Sequence, residues 1–487
     1  MRYELRAEYQ TPCVEGVREA YRQKFKVPLL VAPTGAGKTV IFSYIAEEAS
    51  SKGKRVLIMA HRKELCTQCG EKMIANGVDF GYINPGFTPD YRKPIQVGTI
   101  QSIVARMGKM EVGSRRSEVG SKEVKTLYIP DLIIIDEAHR SIAPTYLKII
   151  AFYRKLNPNL LLLGVTASPV RSDGKGLDLL YDVLVPGPTV RQLIELGYLV
   201  DPQVYGAEVH ADLSTVAQSS DGDHNQVQLS AAVNTPAITG DAVAHYAKIC
   251  PGSPAIVFCV DVKHAVDVAA KFRAAGYLFE HVDGKMSDVE RQGIFTRLRS
   301  GAIHGITSVN LITEGFDAPM VRCVIALRPT LSLALAIQMP GRGMRPYPGK
   351  KVMYFLDHAN ISSTLAQGEN TIGFIDDDRT WTLQGEEPGG KSKRKKGDKE
   401  GRLTQCPHCY RQHHPAPVCP ACGFKYEVNS RIIQVQDGEL VALKSPAQLA
   451  REMMDRDINQ LAAIGGDDWA AGIAREWEER SEEVHSR

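Results

Sequence analysis

Eight residues near the N-terminus, Ala32 to Thr39 (APTGAGKT), have the composition of a loop that holds phosphate. They fit G-x-x-x-x-G-K-[ST] with Ala32 in the first position. Pro33, Thr34, Gly35, Ala36 and Gly37 would form the cradle. Gly35 and Gly37 let the backbone curl so that its N–H groups face phosphate oxygens, and the helix N-terminus that follows adds partial positive charge. Lys38 would reach the β- and γ-phosphates, and Thr39 would place its hydroxyl on Mg²⁺. By itself such a loop specifies a nucleoside triphosphatase and no more.

A second chemical group lies at LIIIDEAH, residues 132–139, where two carboxylates end an apolar run. In open α/β sheets ligands bind at the carboxyl ends of strands, so Asp136 and Glu137 are expected in the same crevice as the loop. Asp136 is suited to hold Mg²⁺. Glu137 is suited to orient and deprotonate an attacking water, because positioning and charge stabilisation dominate phosphoryl transfer. The plainer reading of D-E-A-H is a helix start with an acidic cap.

Both groups need a scaffold, and the sequence supplies one. VPLLVAP (27–33), RVLIMA (55–60), DLIIID (131–136) and LLLLGVT (160–166) read as strands buried on both faces, hence a parallel sheet with helices on either side. A second series begins near Pro254, with strands at AIVFCV (255–260), HGITSV (304–309), VRCVIAL (321–327) and KVMYFLD (351–357). Its helices, VKHAVDVAAKFRAAG and SDVERQGIFTRLRSG, each end at glycine, which suits the left-handed position after a helix. The fold class is α/β with two tandem parallel-sheet domains. GSRRSEVGSKEVKT (113–126) reads as an exposed insertion, and VAQSSDGDHNQ (216–226) as a mobile loop between the series.

The composition, 43% hydrophobic and 24% charged, is that of ordinary folded domains. No apolar run approaches the ~20 residues of a membrane span. The opening MRYELRAEYQ is charged with no apolar stretch behind it, so no signal peptide and a cytoplasmic location are expected. A net charge of +3 does not mark a nucleic-acid binder. The basic block KSKRKKGDKEGR (391–402) is either a solvated linker or a nucleic-acid contact. Cys66 and Cys69 form a C-x-x-C within a helix-like segment and, with the other scattered thiols, read as reduced cysteines. The last four cysteines differ. Cys406, Cys409, Cys419 and Cys422 form C-x₂-C-x₉-C-x₂-C, the spacing of a closed tetrahedral Zn²⁺ site. Two disulfides or an iron–sulfur site are the alternatives.

Taken in order, these motifs resemble the superfamily-2 DEAD/DEAH-box helicases and translocases over roughly residues 4 to 360. The D-E-A-H box is followed by TAS (166–168), a departure from the commoner T-A-T that keeps a hydroxyl. LRAEYQ (5–10) resembles the adenine-reading element, which implies Gln10 at the base. LIMAHRKELCTQ (57–68) and VGTIQS (97–102) resemble nucleic-acid contact motifs. LITEGFDAP (311–319) and QMPGRGMR (338–345) resemble the motifs that close the ATP site from the second lobe. The resemblance implies two RecA-like lobes, with Gly315 and Asp317 at the ribose or relaying the lobe's position. It also implies that His139, Thr166 and Ser168 couple cleft closure to hydrolysis. Gln338, Arg342 and Arg345 have the spacing of one helix face. Arg342 and Arg345 are expected to act as arginine fingers.

The expected domains are a first RecA-like lobe (1–205), a connection (206–240), a second lobe (241–374), a basic flexible linker (375–402), a zinc ribbon (403–430) and an acidic, helical tail (431–487). With the Cys₄ module, the chain resembles RadD-like and prophage-type helicases. That implies an ATP-dependent DNA helicase or translocase using ATP, Mg²⁺ and Zn²⁺, acting on single-stranded or branched DNA. RNA stays open, as does a protein partner at the ribbon or tail; no membrane partner is expected. Two other readings remain: an ATP-switched clamp that recruits partners without unwinding, and the motor subunit of a restriction system.

Overall fold

Alternate residues of the apolar runs face opposite sides of two parallel sheets, and this alternation builds the cores. A computed structural model describes residues 3–107, 109–116, 123–171, 176–207, 228–229, 236–309, 318–330, 332–359, 361–362, 375–377, 379–384, 404–405, 412–413 and 440–443. In the first lobe the chain runs α1 (Gln10–Arg22), β1 (Pro28–Val31), α2 (Lys38–Ser51), β2 (Val56–Ala60), α3 (Lys63–Ala75), β3 (Phe80–Ile83), β4 (Ile95–Thr99) and α4 (Ile100–Arg106). A hairpin of β5 (Glu111–Arg116) and β6 (Glu123–Leu127) follows, then β7 (Leu132–Asp136), α5 (Pro144–Leu156), β8 (Leu161–Thr166), β9 (Val183–Pro186) and α6 (Val190–Glu195).

The first sheet is parallel throughout, in the order β3-β4-β2-β7-β8-β1-β9. Leu30, Ile58 and Ile134 pack on one face with Val14, Phe42 and Met73 of α1, α2 and α3. Leu29, Leu57 and Ile133 pack on the other face with Ile149 and Tyr153 of α5. Each fully buried side chain of this kind contributes about 1.5–3 kcal/mol relative to exposure. The segment read as an exposed insertion forms the β5–β6 hairpin.

The second lobe contains β10 (Asp201–Ala207), α7 (Pro236–Ile249), β11 (Ala255–Phe258), α8 (Val262–Ala274), β12 (Phe279–Val282), α9 (Asp288–Ser300), β13 (Gly305–Ser308), β14 (Cys323–Ala326), α10 (Leu333–Gly341) and β15 (Val352–Asp357). Its sheet order is β12-β13-β11-β14-β15-β10, closed by β18 (Leu440–Leu443) antiparallel to β10. Helix α9 starts at a capping box of Ser287 and Glu290 and ends at Gly301, left-handed at φ 75°. No helix among the described residues is long and apolar enough to cross a membrane.

Three features lie at the expected domain limits. The chain enters the second sheet at Asp201, so the first-lobe limit of 205 falls inside β10; this strand pairs with β15, not with the first sheet. Residues 379–384, read as the start of a flexible linker, are packed: Trp381 lies against cores of both lobes, and Leu177 N–H donates to Leu383 O at 2.6 Å. Within the expected tail the described residues Leu440–Leu443 form β18 on the free edge of β10, and the rest lies outside the described residues. A short ladder, β16 (Thr404–Gln405) with β17 (Gln412–His413), flanks Cys406 and Cys409. All four expected zinc ligands lie outside the described residues, as do the basic block and the polar stretch at 216–226.

Candidate nucleotide site between the lobes

The loop from Ala32 to Lys38 joins β1 to α2, and its glycines are fixed by geometry. Gly37 caps α2 in the left-handed region at φ 76°, and a Cβ there would meet Gln10 Nε2 at 2.6 Å. Gly35 has φ 94°, and a Cβ would meet Leu199 Cδ2 at 2.6 Å. Any other residue would be strained in conformation and would displace the tip of Gln10 or Leu199. Gln10 anchors the loop from below: its Nε2 donates to Ala36 O at 3.2 Å, and its Oε1 accepts from Arg6 N–H at 3.1 Å. Pro33 O accepts from Lys38 Nζ at 3.4 Å, and Ala32 N–H donates to Thr166 O at 3.0 Å.

Strand β7 delivers Asp136 and Glu137 to the same carboxyl edge. Asp136 Oδ1 accepts from Glu137 N–H at 3.0 Å, and both side chains are buried. Glu137 is left-handed at φ 52° and ψ 53°, uncommon for a side chain with a Cβ. Backbone strain of this type costs on the order of 1–3 kcal/mol and concentrates at functional sites. His139 Nδ1 lies 3.4 Å from Glu137 Oε2 and 3.2 Å from Thr166 Oγ1. Thr166 Oγ1 in turn donates to Ser168 O at 2.8 Å and accepts from Ser168 N–H at 3.2 Å. The three residues expected to couple closure to hydrolysis therefore form one chain of polar contacts ending at the acidic box.

The second lobe meets this edge through α10. A Cβ on Gly341 would lie 3.0 Å from Thr34 Cβ. Val200 N–H donates to Met344 O at 2.8 Å. Tyr9, Ala32, Ala36 and Leu199 share one apolar core with Ile337, Met339 and Met344. Gln338 and Arg342 are buried here. The expectation of a single helix face for Gln338, Arg342 and Arg345 is corrected: α10 ends at Gly341, Arg342 caps it, and Arg345 lies beyond. Pro340 cannot continue the hydrogen-bond ladder, and a Cβ on Gly343 would meet Met353 Cγ at 2.5 Å, so the chain turns tightly against β15.

Lys38 records the convergence electrostatically. Burial holds its pKa below the usual lysine value; the Glu137 and Asp136 carboxylates oppose this, and the Arg342 and Arg345 guanidinium groups add to it. Two carboxylates and three cations from two lobes thus share one neighbourhood. Thr39 and Asp136 supply hard oxygen donors, the ligand type Mg²⁺ takes. Gly315 and Asp317 lie outside the described residues.

The segment resembling the first nucleic-acid motif runs from β2 into α3. Lys63 Nζ pairs across the lobes with Asp288 Oδ2 at 3.3 Å, and Arg291 Nη2 with Glu64 Oε1 at 3.5 Å. Cys66 and Cys69 are buried in α3, where burial pushes both thiols up to about 12 and makes them inert. In the second motif Thr99 caps α4, its Oγ1 accepting from Ser102 N–H at 3.4 Å. Sequence reasoning missed the Arg6–Tyr198 stack, with the guanidinium 3.9 Å from the ring centroid. Arg6 and Tyr198 are too far apart in the chain for any local signal.

Two parallel-sheet lobes that share a phosphate loop, an acidic box and an arginine pair define a helicase-type nucleoside triphosphatase. A model of the type III restriction enzyme res subunit matches residues 2–171, and one of the helicase conserved C-terminal domain matches residues 241–347. The chain is a superfamily-2 helicase-type protein related to type I and type III restriction enzyme subunits and to Irc3-like helicases. It is 29% identical to a 51.5 kDa protein of Lactococcus phage (isolate 7-9), covering 92% of this chain and 87% of the relative. It is 26% identical to a Saccharomyces cerevisiae protein provisionally described as the ATP-dependent helicase IRC3, covering 76% of this chain and 54% of that one. It is 25% identical to the Escherichia coli type I restriction enzyme EcoKI endonuclease subunit, of which it spans 34%. The chain thus spans about half or less of these two cellular relatives. The fold is similar to that of the restriction-modification enzyme LlaBIII bound to DNA, with TM-score 0.52, 19% identity and coverage of 73% of this chain and 28% of that one. It is also similar to a fragment provisionally described as a type I HsdR subunit from Vibrio vulnificus YJ016, with TM-score 0.54, 22% identity and coverage of 78% and 69%.

Proposed function

We propose that the chain is an ATP-dependent DNA translocase or helicase, in which hydrolysis between the lobes drives movement on, or remodelling of, DNA. The observation that carries this reading is Lys38, which stands in the field of Glu137 and Asp136 from its own lobe and of Arg342 and Arg345 from the other. Lys38 holds the β- and γ-phosphates. Glu137 aligns a water for in-line attack and takes its proton. Arg342 and Arg345 hold the charge that develops on the transferred phosphoryl group, an effect worth ~10³–10⁵ in rate where it has been measured. Thr39 and Asp136 would hold Mg²⁺, which would supply neutralisation of phosphate charge. Losing the γ-phosphate removes the anion that the second lobe's arginines face, so the cleft is released once per turnover.

DNA is favoured over RNA by the relatives: one similar fold is bound to DNA, and another relative is a restriction endonuclease subunit. Contacts mainly to phosphate and sugar make binding insensitive to sequence and sensitive to salt. The Cys₄ spacing supports a structural Zn²⁺ at Cys406, Cys409, Cys419 and Cys422, and the RadD-like and prophage-type resemblance rests on it. Metal analysis expects about one zinc per chain, lost in Cys406→Ser and Cys419→Ser.

The test is ATPase rate against single-stranded DNA, forked DNA and RNA. DNA is expected to stimulate turnover, and Lys38→Ala or Glu137→Gln to abolish it. Equal hydrolysis with and without any nucleic acid would reject the reading. The res-subunit match favours a second reading, a restriction motor that works with a partner nuclease. Strand displacement by the chain alone favours the helicase, and DNA cleavage that appears only with an added nuclease subunit favours the restriction motor.

A further inference from the structure

Lys350 is a buried lysine that none of the motifs includes. Its ammonium donates to three backbone carbonyls: Pro319 O at 3.0 Å, Val321 O at 2.5 Å and Arg345 O at 2.8 Å. An ammonium has three donors and no acceptor, so every N–H is used and none is spare. The carbonyls come from two places. Pro319 and Val321 lie on the turn that enters β14, closed by Val321 N–H donating to Ala318 O at 3.1 Å. Arg345 lies beyond the end of α10. Lys350 itself is held in a turn in which Gly349 is left-handed at φ 73°, Lys350 N–H donates to Tyr347 O at 2.9 Å, and Arg322 Nη2 donates to Gly349 O at 2.6 Å.

We propose that Lys350 is a positioning residue for ATP hydrolysis: it ties the backbone of Arg345 to the 319–321 turn and so sets where the arginine enters the cleft. Helix α10 stops before Arg345, and the Lys350 ammonium bonds that residue's carbonyl where the helix has ended. The site opposes a lysine in every other respect. Burial, with the Arg322 and Arg345 guanidinium groups nearby, pushes its pKa down to about 7, while the three carbonyl dipoles favour the charge. A lysine buried against that cost points to the backbone it holds. A planar guanidinium carries its donors in a fixed fork and does not fit three carbonyls converging on one tetrahedral nitrogen.

This inference rests on the ATPase reading, and its test separates the two. Steady-state ATPase of the full chain is measured for wild type, Lys350→Met, Lys350→Arg, Arg345→Ala and the double variants. Lys350→Met is expected to lower kcat by about 100-fold, the cost of a misplaced catalytic group, with KM for ATP within about 3-fold. In an Arg345→Ala background the same change is expected to cost almost nothing further, because both act through one group. Lys350→Arg keeps the charge and serves in the same cycle if the methionine variant does not fold; it is expected to lie between wild type and methionine. Additive losses, or a raised KM at unchanged kcat, would overturn the proposal. A wild type that hydrolyses no ATP rejects the function, not the positioning role. A crystal structure of Lys350→Arg with residues 344–350 unmoved rejects the positioning role whatever the turnover.

Discussion

Gly341 at the end of α10 lies tightly against Thr34 of the phosphate loop: a Cβ would stand 3.0 Å from Thr34 Cβ and 3.2 Å from its Cγ2, so one side must give by a few tenths of an ångström. Here the two lobes meet through the backbone of one and a methyl-bearing residue of the other. Gly341→Ala is expected to hold the cleft slightly open and lower kcat about 10-fold, equivalent to about 1.4 kcal/mol of barrier. Thr34→Ser removes the Cγ2 and keeps the hydroxyl, so it is expected to recover part of that loss in the double variant. Wild-type turnover in Gly341→Ala would show that the contact does not limit closure.

Thr166 joins three parts of the site. Its carbonyl accepts from Ala32 N–H, and its hydroxyl faces His139 Nδ1 at 3.2 Å while bonding Ser168. Thr166→Val keeps the shape and removes the hydroxyl. It is expected to lower kcat about 10–100-fold by releasing His139, and with it the orientation of Glu137. ATP affinity, read with a fluorescent analogue, is expected to hold, and Thr166→Ser to behave as wild type. If the valine variant loses affinity and keeps kcat, the hydroxyl serves binding and not coupling.

The phosphate loop and acidic box were legible because each is contiguous and its chemistry resides in residue types at fixed spacing. The strands were legible because burial on both faces demands unbroken apolar runs, as at Leu132–Asp136. The lobe contacts were not. Met344 against Val200, and Gly341 against Thr34, meet only after two sheets have formed, and nothing local announces them. Spacing suggested one helix through Arg345, yet it ends at Gly341, ahead of the crowding at Gly343, and periodicity cannot register a steric stop. Lys350 escaped because its partners are carbonyls, which every residue has.

Trp381 packs against cores of both lobes, while Leu383 O accepts from the backbone of Leu177 and Asp178 in the first. This segment straps the two lobes together. Trp381→Ala is expected to cost about 2 kcal/mol, less than a fully buried tryptophan because it is only partly covered. Calorimetry reads this as a midpoint lowered by roughly 5 °C, with the lobes unfolding in separable steps. An unchanged single transition would mean that the lobes are held together without the strap.

His264 gives the second lobe a defined sensitivity to acid. It is fully buried, and Val260 N–H donates to its Nδ1 at 3.4 Å, which needs that nitrogen unprotonated. Burial pushes its pKa down to about 4, against the pull of Asp261 and Asp267. His358, buried and stacked on His245 at 5.2 Å, is pushed down to about 3, by burial first and His245 second. Unfolded histidines titrate near ~6.5. Between pH ~6.5 and 4 the unfolded chain therefore binds protons that the native lobe excludes, so stability is full above that window and falls as pH drops through it. For His264 alone the loss amounts to about 3 kcal/mol. His264→Asn offers an oxygen acceptor to Val260 and cannot titrate, so its unfolding free energy is expected to fall less steeply from pH 6.5 to 4 than that of wild type. Denaturant unfolding at a series of pH values measures both slopes, and equal slopes would remove His264 as the source.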